Sequence, residues 1–288
     1  MTMKIAYMFP GQGAQFAGMG EGLFGQFPAE CAVAEEVLGY SLEELCQDPR
    51  SNRLNQTQYT QPAVYFVSCL WYLERSRRAP PPDLLLGHSL GLYAAMFAGG
   101  MMSLRTGLEV VKRRAELMQA ATGGAMLAVI GQEAGAAQNF LLEHEYADID
   151  VANYNAPDQI VFSGAAETIS ALELRLNGEQ FRCIRLPVSG AFHSRLMEAA
   201  RLEFTRGLLL REFNPPVIPV VSTTSATPVS LEFIVEELGF QLVRPVRWHQ
   251  TVRYLAETYA DLKFTEIGPG QVTSKLTTRI VGADRISA

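Results

Sequence analysis

Charge is scarce in this chain: 19% of its 288 residues are Asp, Glu, Lys or Arg, against roughly 25% in ordinary soluble domains. Apolar residues make up 48%, which excludes extended disorder. A basic excess is also missing, with 24 Lys+Arg against 30 Asp+Glu and a net charge of −6. No electrostatic footprint for a phosphate backbone exists, so nucleic acid is not expected as a partner. Cysteine is sparse. Cys31, Cys46, Cys69 and Cys183 form no CxxC pair, which argues against a zinc knuckle and a dense disulfide framework and fits a reducing cytoplasm. No His/Cys/Asp/Glu cluster has ligand spacing, so no metal is expected. Long apolar runs are absent too. The longest stretch without charge, Leu84 to Leu104, is broken by Gly87, His88, Ser89, Gly91, Gly99 and Gly100, and reads as a buried turn and helix rather than a membrane span. The short apolar run near the start meets Pro10-Gly11 and is no signal peptide.

What is present alternates between strand and helix. Lys4–Phe9 reads as a strand ending at a Pro-Gly pair, followed by helical patterns at 28–39 and 59–76. Leu84–His88 reads as a buried strand running into a helix through Phe97, with a further helix from Ser103 to Ala120. Between Gly123 and Pro187 the texture changes. Strands at Met126–Ile130, Ile149–Asn153, Gln159–Ser163 and Phe181–Leu186 enclose helices at 133–144 and Ala166–Leu176, the βαββαβ order of a ferredoxin-like unit. A helix at 195–210, a strand at Val217–Val221, helices near 231–239 and 249–258, a strand at Phe264–Ile267 and a helix after Gly268-Pro-Gly270 complete the chain. The expected architecture is α/β, with a catalytic domain made of residues 1–122 and 188–288 and a small domain, 123–187, inserted in it.

Gly87-His88-Ser89-Leu90-Gly91 matches the GxSxG nucleophile elbow and lies between a strand and a helix, as that motif requires. The glycines permit a sharp turn, and the helix N-terminus aims amides at a developing oxyanion. A serine nucleophile needs a base, and the histidines are His88, His144, His193 and His249. His88 points away from its neighbour within the elbow, His144 lies in a polar Glu-His-Glu run that reads as solvated surface, and His249 beside Trp248 reads as packing. His193 remains, at a helix start where the dipole keeps the ring neutral. The alternative is an ordinary helix-entry histidine. On the helix 103–120, a 100° step puts Arg114 on the apolar arc with Leu104, Leu108, Val111, Ala115 and Met118. A guanidinium aimed inward meets an anion there, either a structural partner or a substrate carboxylate.

Together, Phe9-Pro-Gly-Gln12-Gly-Ala-Gln15, Thr60-Gln61-Pro-Ala, Gly87-His-Ser89-Leu-Gly91, Arg114, Val188-Ser-Gly-Ala-Phe192-His193-Ser and Gly268-Pro-Gly resemble the malonyl-CoA:acyl carrier protein transacylase family from Met3 to the last helix. The resemblance implies a hydrolase-like parallel-sheet domain with an inserted ferredoxin-like domain. It implies a ping-pong reaction in which an acyl group passes from coenzyme A to serine and then to the phosphopantetheine thiol of an acyl carrier protein. Carried over by position, Ser89 is the nucleophile, His193 the base, and the amides of Gln12 and Leu90 the oxyanion hole. Arg114 holds the malonyl carboxylate, Gln61 and Met118 line the site, and a main-chain carbonyl at Gln241 orients the histidine. Phe192 excludes an α-branch. The donor is a coenzyme A thioester used as substrate, no cofactor is bound, and a monomer is expected.

The stretch Leu54–Val67 with Ala79-Pro-Pro-Pro-Asp83 resembles free-standing polyketide acyltransferases more than the fatty-acid enzyme. Leu92 departs from the Glu that family members carry after the motif and bears on the acyl group accepted. The competing expectation is an acyl hydrolase that strips carrier proteins with the same serine and histidine. Arg114 argues against it, since a monocarboxylic acyl group has no use for a buried cation.

Overall fold

A computed structural model describes residues 3–50, 52–131, 134–143, 146–177 and 181–287. It opens with β1 (Lys4–Phe9), in which Ala6, Tyr7, Met8 and Phe9 are all buried. Burial on both faces is the mark of a parallel sheet covered by helices. Helices α1 (Pro28–Leu38), α2 (Leu42–Gln47) and α3 (Thr57–Ser76) follow. Pro28 presets the first turn of α1, and Ser41 caps α2 by accepting from the Glu44 amide. The sequence reading lacked α2, which at six residues is too short to show a period. Next come β2 (Leu84–Gly87), α4 (Gly91–Ala98) and α5 (Leu104–Ala120).

The second unit contains β3 (Gly124–Ile130), α6 (Ala134–Glu143), β4 (Asp150–Ala156), β5 (Gln159–Ala165), α7 (Ala166–Leu176) and β6 (Arg182–Arg185). Its strands are all antiparallel, in the order β4-β5-β3-β6. Leu127, Val129, Ile160, Phe162, Ile169 and Leu172 form a core of its own. Position 133 and His144, both assigned from sequence, lie outside the described residues. The strand β4 continues past Asn153, where the sequence reading ended it: it stays paired with β5 as far as Ala156 opposite Gln159, and the buried Asn155 finds a side-chain partner in His88.

The chain then returns through α8 (Glu198–Leu208), β7 (Val220–Val221), α9 (Ile234–Phe240), α10 (Trp248–Thr258), β8 (Leu262–Glu266) and α11 (Val272–Val281). The main sheet is parallel, in the order β7-β2-β1-β8, with Ala6 opposite both Leu84 and Phe264. The expected helix from 195 begins instead as a 3₁₀ turn at Arg195–Met197. The strand expected at Val217–Val221 shrinks to two residues. Val217 is exposed and Pro219 has no N–H to donate. This is an α/β fold with a hydrolase-like parallel sheet and a separate small antiparallel sheet. We propose the division at 122/123 and 187/188, where the chain changes sheets. The units are joined by backbone: Tyr154 N–H donates to Val246 O at 2.8 Å and Val246 N–H to Ala152 O at 2.8 Å, so β4 braces the segment after α9.

Candidate active site

Ser89 stands at the junction of β2 and α4 with φ at 50°. Left-handed backbone costs a non-glycine residue roughly 1–2 kcal/mol and is held only where packing demands it. The flanking glycines do not themselves take positive φ; they permit the sharp turn in another way. They are needed for close approach. A Cβ on Gly91 would lie 2.0 Å from Phe9 O, and one on Gly87 2.0 Å from Gly91 C. The C-terminal end of β1 therefore presses directly on the elbow and brings the loop carrying Gln12 beside the serine.

The Ser89 hydroxyl donates to His193 Nε2 at 2.8 Å. The other ring nitrogen, Nδ1, donates to Gln241 O at 2.8 Å and contacts Arg244 O at 3.2 Å. A carbonyl can only accept, so Nδ1 carries the proton and Nε2 presents a lone pair to the serine. His193 is buried and has φ at 59°. Burial first, then the Arg114 charge, hold the ring down to about 3, so the basic form is present throughout the neutral range. The main cause is burial, not the helix dipole invoked from sequence.

Arg114 lies inside α5 at 1% exposure, as the helical period requires. Its Nη1 donates to Gln61 Oε1 at 2.6 Å, and Nη2 donates to Ser89 Oγ at 3.1 Å and to Gln241 Oε1 at 3.2 Å. The guanidinium carbon sits 5.4 Å from the Tyr93 ring centroid. None of the ion pairs among the described residues includes Arg114. Among the described residues its Nε has no hydrogen-bond partner. Burial pulls its pKa below the ordinary value, yet a guanidinium stays charged. A buried cation surrounded by neutral groups lacks its counter-charge, and an anion entering beside Ser89 would supply it.

A cavity of about 400 Å³ joins these groups. Gln12, Gln61, Met118 and Phe192 line it together with Ser89, Arg114 and His193. Gln61 Nε2 donates to Met118 Sδ at 3.3 Å and to Gln12 Oε1 at 3.3 Å. Among the described residues, the backbone N–H groups of Gln12 and Leu90 donate to no protein acceptor, which leaves both free for an oxyanion. Gln241 contributes more than its carbonyl, since its Nε2 donates to Ser89 O at 3.0 Å.

Sequence reasoning missed Asn155, whose Oδ1 meets His88 Nε2 at 2.8 Å, and Thr57, whose Oγ1 accepts from Gln12 Nε2 at 3.1 Å. Thr57 lies one helical turn before Gln61, a spacing that by itself singles out no functional threonine. His88 lines the cavity but turns its ring to Asn155, packed 5.5 Å from the Trp248 ring. His249 is half-buried on α10. Leu92 is fully buried in the main core and does not line the cavity, so it packs behind the elbow and is no part of the cavity wall. Among the described residues no group of His, Cys, Asp and Glu could hold a metal ion, and no helix is long and apolar enough to cross a membrane.

A family model described as the acyl transferase domain matches residues 6–279. The chain belongs to the acyl transferase domain family. It is 42% identical over 279 residues to the polyketide biosynthesis malonyl CoA-acyl carrier protein transacylase PksC of Bacillus subtilis, covering 96% of both chains. It is 44% identical over 278 residues to the polyketide biosynthesis protein ThaF of Burkholderia thailandensis, covering 96% of this chain but only 24% of that much longer protein. The crystal structure of malonyl CoA-acyl carrier protein transacylase from Burkholderia pseudomallei superposes with a TM-score of 0.93 at 41% identity, covering 97% of this acyltransferase and 98% of that chain.

Proposed function

We propose that this acyltransferase moves malonyl groups from malonyl-CoA to the phosphopantetheine thiol of an acyl carrier protein in polyketide biosynthesis. The single observation that carries the malonyl assignment is Arg114: a buried guanidinium with only neutral partners, 3.1 Å from the Ser89 hydroxyl. In the first half-reaction Ser89 Oγ attacks the thioester carbonyl while His193 Nε2 takes its proton. The tetrahedral oxygen is held by the N–H groups of Gln12 and Leu90. The C–S bond breaks, coenzyme A leaves as the thiol with the proton from His193, and a malonyl ester remains on Ser89. In the second half-reaction the carrier thiol gives its proton to His193 and attacks that ester; the bond from the acyl carbon to Ser89 Oγ breaks, His193 returns the proton to Oγ, and the malonyl thioester leaves on the carrier. Arg114 holds the distal carboxylate through both halves.

Phe192, buried in the cavity wall, supports selection of malonyl over α-branched units. The name borne by PksC supports both the carrier-protein acceptor and the polyketide setting. We place the reaction in the cytoplasm, where the free thiols Cys31, Cys46, Cys69 and Cys183 stay reduced. Intact-protein mass spectrometry after mixing with malonyl-CoA tests the reading. A malonyl adduct on Ser89 that persists without acceptor and disappears on addition of a phosphopantetheinylated carrier supports it, and release of free malonate without acceptor moves the hydrolase ahead.

A further inference from the structure

Three hydrogen bonds run in one direction across the site. Arg114 Nη1 donates to Gln61 Oε1 at 2.6 Å, Gln61 Nε2 to Gln12 Oε1 at 3.3 Å, and Gln12 Nε2 to Thr57 Oγ1 at 3.1 Å. The direction is forced at its origin. A guanidinium has donors only, so the Gln61 oxygen must face Arg114 and its NH₂ must face Gln12. The Gln12 amide is then oriented in turn, oxygen toward Gln61 and NH₂ toward Thr57. Thr57 and Gln61 lie one turn apart on α3, so the Gln12 side chain is clamped between two successive turns of a single helix.

The clamp matters because of where Gln12 sits. It lies outside any strand or helix, with Gly11 before it and Gly13, at φ 105°, after it. Glycine-flanked backbone is conformationally permissive, and the loop is held by a turn bond from Ala14 N–H to Gly11 O at 3.3 Å and by Gly13 N–H donating to Gln15 Oε1 at 2.7 Å. The Gln12 side chain adds the restraint that ties the loop to α3. Thr57 is 3% exposed and supplies the last acceptor. Without that acceptor the half-buried Gln12 NH₂ loses the bond that sets its orientation.

We infer that Thr57 is a positioning residue: as the terminal acceptor of the relay from Arg114, it fixes the Gln12 side chain and thereby aims the Gln12 backbone N–H at the reacting carbonyl. The inference rests on the oxyanion role given to Gln12 under the proposed function. It also links the carboxylate-binding arginine to the oxyanion site through two glutamine amides, so both ends of a malonyl group meet one hydrogen-bonded assembly.

The test is single-turnover acylation of Thr57→Val and Thr57→Ser by malonyl-CoA and by acetyl-CoA, read by quenched-flow and intact mass. Because the oxyanion hole serves the carbonyl common to both donors, Thr57→Val should slow acylation at saturation roughly 10-fold for both, a fraction of what deleting an oxyanion donor costs. The apparent Kd for each donor should stay within about twofold, and Thr57→Ser, which keeps the acceptor, should stay near the parent. If Thr57→Val does not fold, Thr57→Ala removes the same acceptor and is read instead. Parent-like acylation by the variant, a loss confined to malonyl-CoA, or equal losses in Thr57→Val and Thr57→Ser overturns the inference while leaving the acyltransferase reading intact. A parent protein that forms no malonyl adduct overturns both.

Discussion

Gln241 holds His193 from the main chain and Ser89 from the side chain: its carbonyl accepts from His193 Nδ1 at 2.8 Å, and its Nε2 donates to the Ser89 carbonyl at 3.0 Å. The histidine is therefore oriented without a carboxylate. A main-chain carbonyl cannot be removed by substitution, so the two functions of Gln241 separate experimentally.

Gln241→Ala should accordingly leave the His193 tautomer in place and slow acylation only several-fold, through the lost contacts to Arg114 and Ser89. His193→Ala removes the base itself and should slow acylation by on the order of 10² or more. Rapid-mix acylation assays on the two variants check the contrast. Equal losses would mean that the side chain, not the carbonyl, supports the histidine.

The His193 ring also sets a pH dependence. Its pKa is lowered in the fold to about 3 by burial first and the Arg114 charge second, from an ordinary value of 6.5. A depressed base is neutral when folded and binds its proton on unfolding, so its stabilising contribution is complete above pH 6.5 and is lost as pH falls toward 3. The loss approaches about 1.4 kcal/mol per pH unit inside that window. Denaturant unfolding of parent and His193→Gln at pH 8, 6, 5 and 4 should show the parent's relative stability falling below pH 6.5. A constant difference would place the folded pKa near its ordinary value.

Gly91 gives a test of the elbow's packing. A methyl there would meet Phe9 O at 2.0 Å and Pro10 O at 2.9 Å, both backbone atoms that cannot swing aside. Gly91→Ala should cost on the order of 3 kcal/mol, the upper range for overpacking, visible as a lowered denaturation midpoint. Gly207→Ala, at an exposed-side helical position with open space around its Cβ, serves as the control and should not lower the midpoint.

Most of this site was legible because its signals are local. Gly87 to Gly91 spans one turn between a strand and a helix, and Arg114 betrays itself by falling on the apolar face of an amphipathic helix. Both follow from periods readable over a few residues. His193 emerged because the alternatives among four histidines were poor. Thr57 and Asn155 were not legible, since a threonine opening a helix and an asparagine in a strand have common structural uses. Only the fold brings Gln12 to Thr57 and His88 to Asn155, contacts spanning 45 and 67 positions in sequence. Strand and helix ends moved for similar reasons: β7 lost its first residues to Pro219, and β4 gained Asn155, whose side-chain partner lies in the other sheet's elbow.

Arg114 separates the transferase from the hydrolase. A guanidinium–carboxylate contact to a buried guanidinium in a partly dry cavity is worth about 2–4 kcal/mol, or roughly 30- to 1000-fold in preference for malonyl over acetyl. Arg114→Ala should depress malonyl loading by about that factor. The same change removes a buried cation that has no described counter-ion, so acetyl-CoA should load better than in the parent. Arg114→Lys should recover little, because an ammonium cannot reproduce the planar fork that now spans Gln61, Gln241 and Ser89. Parallel loading with malonyl-CoA and acetyl-CoA decides the matter. Equal losses for both donors would make Arg114 a structural cation that orders the glutamines, and a parent that prefers acetyl-CoA would remove the carboxylate from its role.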